Sequence, residues 1–110
     1  MRYEEPQPIG LPEAEEGMAS GDPTLIADAL LRVSLSGIDA QWVEDACLRS
    51  LERPEFAVRW TALTALGHLV RRHRRLDMNA VLEAIEPLRS DSDMSGKVGD
   101  LLDDIKVYAI

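Results

Sequence analysis

The chain has 110 residues, of which 45% are hydrophobic and 5% aromatic, and 12 basic against 20 acidic side chains set a formal net charge of −8. That length holds one domain around one core, and the Ala- and Leu-rich composition favours helices over a sheet. The acidic balance repels phosphate backbones, so it argues against DNA or RNA as a partner and for a basic protein.

Residues 1–10 contain Pro6, Pro8 and Gly10 and read as a flexible, extended arm ahead of a single helical domain over 11–110. The first helix is expected over 12–19, with Pro12 in the first turn and Leu11, Ala14 and Met18 on its apolar side. Ser20-Gly21 closes it, and Asp22-Pro23 starts the second as N-cap and first helical residue. That helix runs over 23–34, and Ile26, Ala29, Leu30 and Val33 recur at helical spacing on one face. Ser36-Gly37 separates it from a third helix over 40–52, capped by Asp39 and burying Val43, Ala46, Cys47, Ser50 and Leu51.

Arg53-Pro54 breaks the chain, because a residue before proline disfavours helix. The fourth helix covers 54–73, with Val58, Ala62, Ala65, Leu66 and Leu69 inward. Asp77 caps a fifth over 78–88, with Val81, Leu82 and Ile85 inward and Pro87 near its end. The sixth covers 94–107, with Val98, Leu101, Leu102 and Ile105 inward. No segment alternates with period two for long enough to make a strand. The fold class is therefore all-α: six helices in three stacked antiparallel pairs, each on the scale of a helical repeat unit.

Residues 53–59 (Arg-Pro-Glu-Phe-Ala-Val-Arg) with Ala62 and the run Ala65-Leu66-Gly67-His68-Leu69 resemble the second half of a HEAT repeat. Small Ala65 and Gly67 would let helices approach, while Val58, Leu66 and Leu69 fill the core. The whole chain resembles short bacterial HEAT-like proteins. It shares Ser-Gly-Asp-Pro at 20–23, Trp-Val-x-x-x-Cys-Leu at 42–48, Leu-Gly-His-Leu at 66–69, His73 after a basic stretch, and Asp-Asp-Ile at 103–105. It departs from them at Thr61-Ala62-Leu63-Thr64 and in its longer polar arm. Proteins of this kind are often encoded beside polymorphic toxins, and some are immunity proteins. The resemblance thus implies an α-solenoid fragment that binds a toxin.

Charge is blocked along the chain: residues 1–48 are net −8, 49–75 net +5 and 76–110 net −5. Solvated helix faces are the ordinary reading of such blocks. The lone Cys47 cannot form an internal disulfide, the first residues lack the apolar stretch of a signal peptide, and no run of residues suits a membrane span. Together these lead to the expectation of a cytoplasmic protein with no membrane partner.

No catalytic or cofactor constellation emerges. His68 and His73 are five apart, and five steps of about 100° turn one ring about 140° from the other, which is poor for a shared metal. Arg71-Arg72-His73-Arg74-Arg75 ends a helix, where cations complement the dipole, and no aromatic residues interleave it as RNA binding would favour. Cys47 falls on an apolar face as a small hydrophobe. Asp100, Asp103 and Asp104 on one helix cannot wrap a calcium ion as a dedicated loop does.

In stacked pairs the second helices line one surface. Side chains there that face away from the apolar stripes are Asp28 and Leu31, then Trp60, Thr64, His68 and Arg71, then Asp100 and Asp103. They outline a groove with Trp60 central and acids at its flanks, suited to a basic partner protein. Trp60 reads equally as a hot spot or as a ring packed on an adjacent helix, whereas Trp42 reads as near-core. The function expected is an immunity protein that occludes the basic site of a toxin, such as a nuclease, with this acidic surface. The competing reading is a regulatory or scaffolding adaptor without a toxin. A lyase for protein-attached pigments ranks below both, because no acid–base pair stands out.

Overall fold

Three aspartates start three of the helices. Asp22 accepts from the Thr24 amide at 2.9 Å, Asp39 from Trp42 at 3.0 Å and Asp77 from Ala80 at 3.2 Å, satisfying first-turn donors that would otherwise lack partners. In the computed structural model, which describes residues 6–109, the elements are α1 (Leu11–Ala19), α2 (Pro23–Ser34), α3 (Ala40–Ser50), α4 (Phe56–His73), α5 (Met78–Ile85) and α6 (Ser95–Tyr108). A 3-10 turn, Glu86–Leu88, follows α5, and the described residues include no strand. The all-α order of six helices expected from the sequence is what the chain adopts.

The helix ends differ in detail, each for a local reason. α3 stops at Ser50 rather than at 52, because the amides of Glu52 and Arg53 turn to the carbonyls three residues back, Arg49 and Ser50. The Arg53 guanidinium then grips the Glu55 carboxylate through two bonds of 2.9 and 3.1 Å, and α4 begins after Pro54, at Phe56. α5 tightens into the 3-10 turn where Pro87 has no amide to continue the α-helical ladder. Before α6, the Asp91 carbonyl accepts from Met94 and Ser95, and buried Met94 serves as the N-cap.

α4 lies at the centre, packed against α2, α3 and α6. α2 and α6 flank it on either side, α1 covers α2, and α5 packs on α3. The backbones of α5 and α6 stay further apart than those of the first two pairs. The molecule measures 31 × 30 × 28 Å, nearly equal in all directions.

The expected stripes of α2 and α3 are buried in full. On α4 the buried arc is wider than one stripe: Leu63, Gly67 and Val70 join the five expected residues, because the helix has neighbours on three sides. Leu82 is a correction. It is 44% exposed, since α5 buries only Val81 and Ile85, four apart on the side towards α3, and Leu82 lies about 100° around from Val81. At the N-terminal side, residues 1–5 of the expected arm lie outside the described residues. Ile9 differs from the arm reading: it is 8% exposed, and its amide donates to the Arg32 carbonyl at 3.3 Å.

A candidate protein-binding face on helices four and six

An open cleft of about 350 Å³ lies along the contact of α4 with α6, lined among others by Leu63, Thr64, Gly67, Arg71, Lys97 and Asp100. Gly67 sets its floor. A Cβ there would stand 3.0 Å from the Asp104 carboxylate and 3.4 Å from the Arg71 guanidinium, so the bare backbone admits both. Arg71 bonds Asp104 across the two helices at 3.2 Å. Asp100 and Asp103 also line the cleft, are exposed, and pair with no cation among the described residues.

At the start of α4, Phe56 and Trp60 stack on the surface with ring centroids 5.4 Å apart. Lys97 of α6 holds its ammonium 4.8 Å from the Trp60 ring centre, a cation–π contact. Trp60 remains 39% exposed, so the ring is reachable from solvent, and it adjoins the cleft through Lys97, which lines it.

The eight side chains read from the sequence as one groove therefore divide. Thr64, Arg71, Asp100 and Asp103 share the α4–α6 cleft, and Trp60 joins it through Lys97. His68 turns to the other seam, where its Nδ1 lies 3.1 Å from the Ser34 hydroxyl of α2. That hydroxyl already donates its one proton to the Leu31 carbonyl at 2.7 Å, so Nδ1 carries the proton in the contact with His68. Burial, then the cations Arg71, Lys97 and Arg72, push the His68 pKa down, with Asp104 opposing. Leu31 is half-buried beside this contact. Asp28 stands apart: it pairs with Arg32 at 3.2 Å and lines a groove shared with α1.

Sequence reading missed Lys97 and Phe56. Lys97 precedes Asp100 by three residues and so shares its helix face, a signal that ordinary solvated helices also carry. Phe56 is one turn before Trp60, which is the only sequence trace of the stack.

Two further groups bear on chemistry. Cys47 is fully buried, and burial, reinforced by the charge of Glu44, pushes its thiol far above the ordinary range, so it is not a ready nucleophile. Among the described residues no three His, Cys, Asp or Glu side chains are grouped to hold a metal ion, and no helix is long and apolar enough to cross a membrane.

No protein-family model and no curated protein matches the chain. Among solved structures it is similar to a chain of the CDI complex from Cupriavidus taiwanensis LMG 19424, with 33% identity and a TM-score of 0.81, covering 100% of this chain and 99% of that one. At that identity over the full length of both, the protein belongs to the same family as that component of the CDI complex.

Proposed function

We propose that this chain is the immunity partner of a contact-dependent inhibition toxin, and that it acts by binding the toxin rather than by catalysing a reaction. The observation that carries this reading is the full-length kinship with a chain of a CDI complex. The side-by-side packing of α2, α4 and α6 supports the HEAT-like relationship read from the sequence.

The α4–α6 face is the proposed docking surface. A toxin that cleaves nucleic acid must hold a phosphate backbone in a basic cleft. Carboxylates such as Asp100 and Asp103, unpaired on this face, offer that cleft an acidic substitute and exclude the substrate. Opposite charge also speeds encounter, which an antidote released against an incoming toxin requires. Trp60 supplies a rigid, partly exposed ring of the kind that anchors interfaces.

The test is to identify the neighbouring genes, co-express the C-terminal domain of any contact-dependent inhibition toxin they encode with this chain, and follow with calorimetry on the purified pair. Protection of the host and a stoichiometric complex are expected. The triple variant Trp60→Ala, Asp100→Lys, Asp103→Lys should keep its helical circular dichroism and weaken binding by at least about 30-fold, as loss of one hot spot does. Unchanged affinity would reject this surface. Absence of both protection and complex would reject the immunity reading itself.

A further inference from the structure

Lys97 occupies a place that a partner's cation would fit. Its ammonium rests on the Trp60 ring at 4.8 Å, while among the described residues no carboxylate lies within ion-pairing distance of it. Asp100 and Asp104 follow it on α6 at three and seven residues, on the same side of the helix. Lys97 itself lines an open cleft of about 350 Å³ together with Thr64, the two unpaired carboxylates Asp100 and Asp103, and Arg71, whose charge is already met by Asp104. The Trp60 ring adjoins that cleft through Lys97. An aromatic face beside carboxylates is the combination that holds a guanidinium, which stacks flat on the ring and donates in its plane. A compact ammonium on the ring alone uses only the first half of that combination.

We propose that Lys97 is a built-in placeholder, and that the α4–α6 cleft receives an arginine side chain of the partner protein, which displaces the Lys97 ammonium from Trp60 and pairs with Asp100 and Asp103. This rests on the reading of the α4–α6 face as the docking surface and names the group that it recognises. Its consequence is unusual for an interface residue: removing the Lys97 charge strengthens binding. The free protein no longer has to give up its own cation–π contact, and the cleft loses a like charge that faces the incoming arginine.

The experiment follows the Trp60 indole N–H by NMR as arginine amide is added to the intact protein at low salt, with norleucine amide as the uncharged control. The same titration is made on Lys97→Met and Trp60→Leu. Arginine amide is expected to shift the Trp60 indole and the α6 amides around Asp100 and Asp103. It should bind Lys97→Met about two- to fivefold more tightly than wild type, the gain from one exposed cation–π contact. Trp60→Leu should lose the localised shifts on α6. Equal or weaker binding to Lys97→Met would overturn the proposal, as would shifts that norleucine amide reproduces. Calorimetry of Lys97→Met against the toxin domain is the second arm and should show the same tightening. A toxin that does not bind at all counts against the immunity reading, while the arginine amide titration still reports on the cleft.

Discussion

Replacing Gly17 by alanine should cost stability, whereas the same replacement at Gly67 should be neutral or stabilising. Both glycines sit inside helices, where alanine gains up to about 1 kcal/mol in propensity. At Gly67 the added Cβ meets the Asp104 carboxylate at 3.0 Å and the Arg71 guanidinium at 3.4 Å. Both are far ends of flexible side chains, and their partly exposed ion pair contributes at most about 1 kcal/mol. The net change is then between neutral and about 1 kcal/mol more stable. At Gly17 the Cβ would stand 2.7 Å from the Ala29 Cβ and 3.3 Å from the Leu25 carbonyl oxygen. Both atoms are fixed to the α2 backbone, so α1 must retreat, and overpacking of this kind costs about 1–3 kcal/mol. Overpacking outweighs propensity, leaving Gly17→Ala up to about 2 kcal/mol less stable. Urea unfolding followed by circular dichroism at unchanged slope reads both values. In thermal melts each kcal/mol appears as about 4–8 °C. A Gly17→Ala protein as stable as Gly67→Ala would refute the close approach of α1 to α2.

Glu44 is 5% exposed, and its carboxylate accepts from the Asp77 amide at 2.8 Å. Glu44→Leu should lower stability by about 1–3 kcal/mol by orphaning that donor, whereas Glu44→Gln, which keeps an acceptor oxygen, should retain most of it; equal urea midpoints for the two would contradict this. Cys47, buried with a raised thiol pKa, should resist a thiol-specific disulfide reagent at pH 8 in the native protein and react fully in denaturant, and fast native labelling would show it exposed. His68 has a lowered pKa, so the unfolded chain takes up its proton first as pH falls. The stability that neutral His68 preserves is complete above about pH 6.5 and is lost as pH drops from there through the folded value. NMR titration of the ring should give a midpoint below that of a free histidine, and His68→Gln should flatten the acid limb of the melting curve. Lys97→Met should raise the midpoint, since Lys97 is among the cations that lower it.

Helical spacing revealed the core where a helix buries one side. Ile26, Ala29, Leu30 and Val33 of α2, and Val43, Ala46, Cys47 and Ser50 of α3, lie where their period puts them. Caps were equally legible, because an aspartate before an apolar run acts through bonds to its own next residues: Asp22, Asp39 and Asp77 all do so. α4 was harder to read. A single stripe through Val58, Ala62, Ala65 and Leu69 left Thr64, His68 and Arg71 on one opposite face. With α2, α3 and α6 all packed on it, the helix has no such broad free face, and those side chains enter two different seams. His68 meets Ser34 in one and Thr64 lines the other.

That difference bears on recognition as well as on folding. A polar side chain on an open helix face samples many rotamers and loses that freedom on binding, whereas one seated in a seam between helices has already been ordered by folding. Arg71 is held by Asp104 over Gly67, and Trp60 is stacked on Phe56 under Lys97. None of these partnerships is visible in a single helix's period, because each joins residues from separate turns or helices. The same packing of α4 that hid the cleft from a one-helix reading is what makes it rigid. In the proposed docking, side chains already seated in this way lose little further freedom on binding, and the exchange of Lys97 for a partner's arginine on Trp60 is what the Lys97→Met titration isolates.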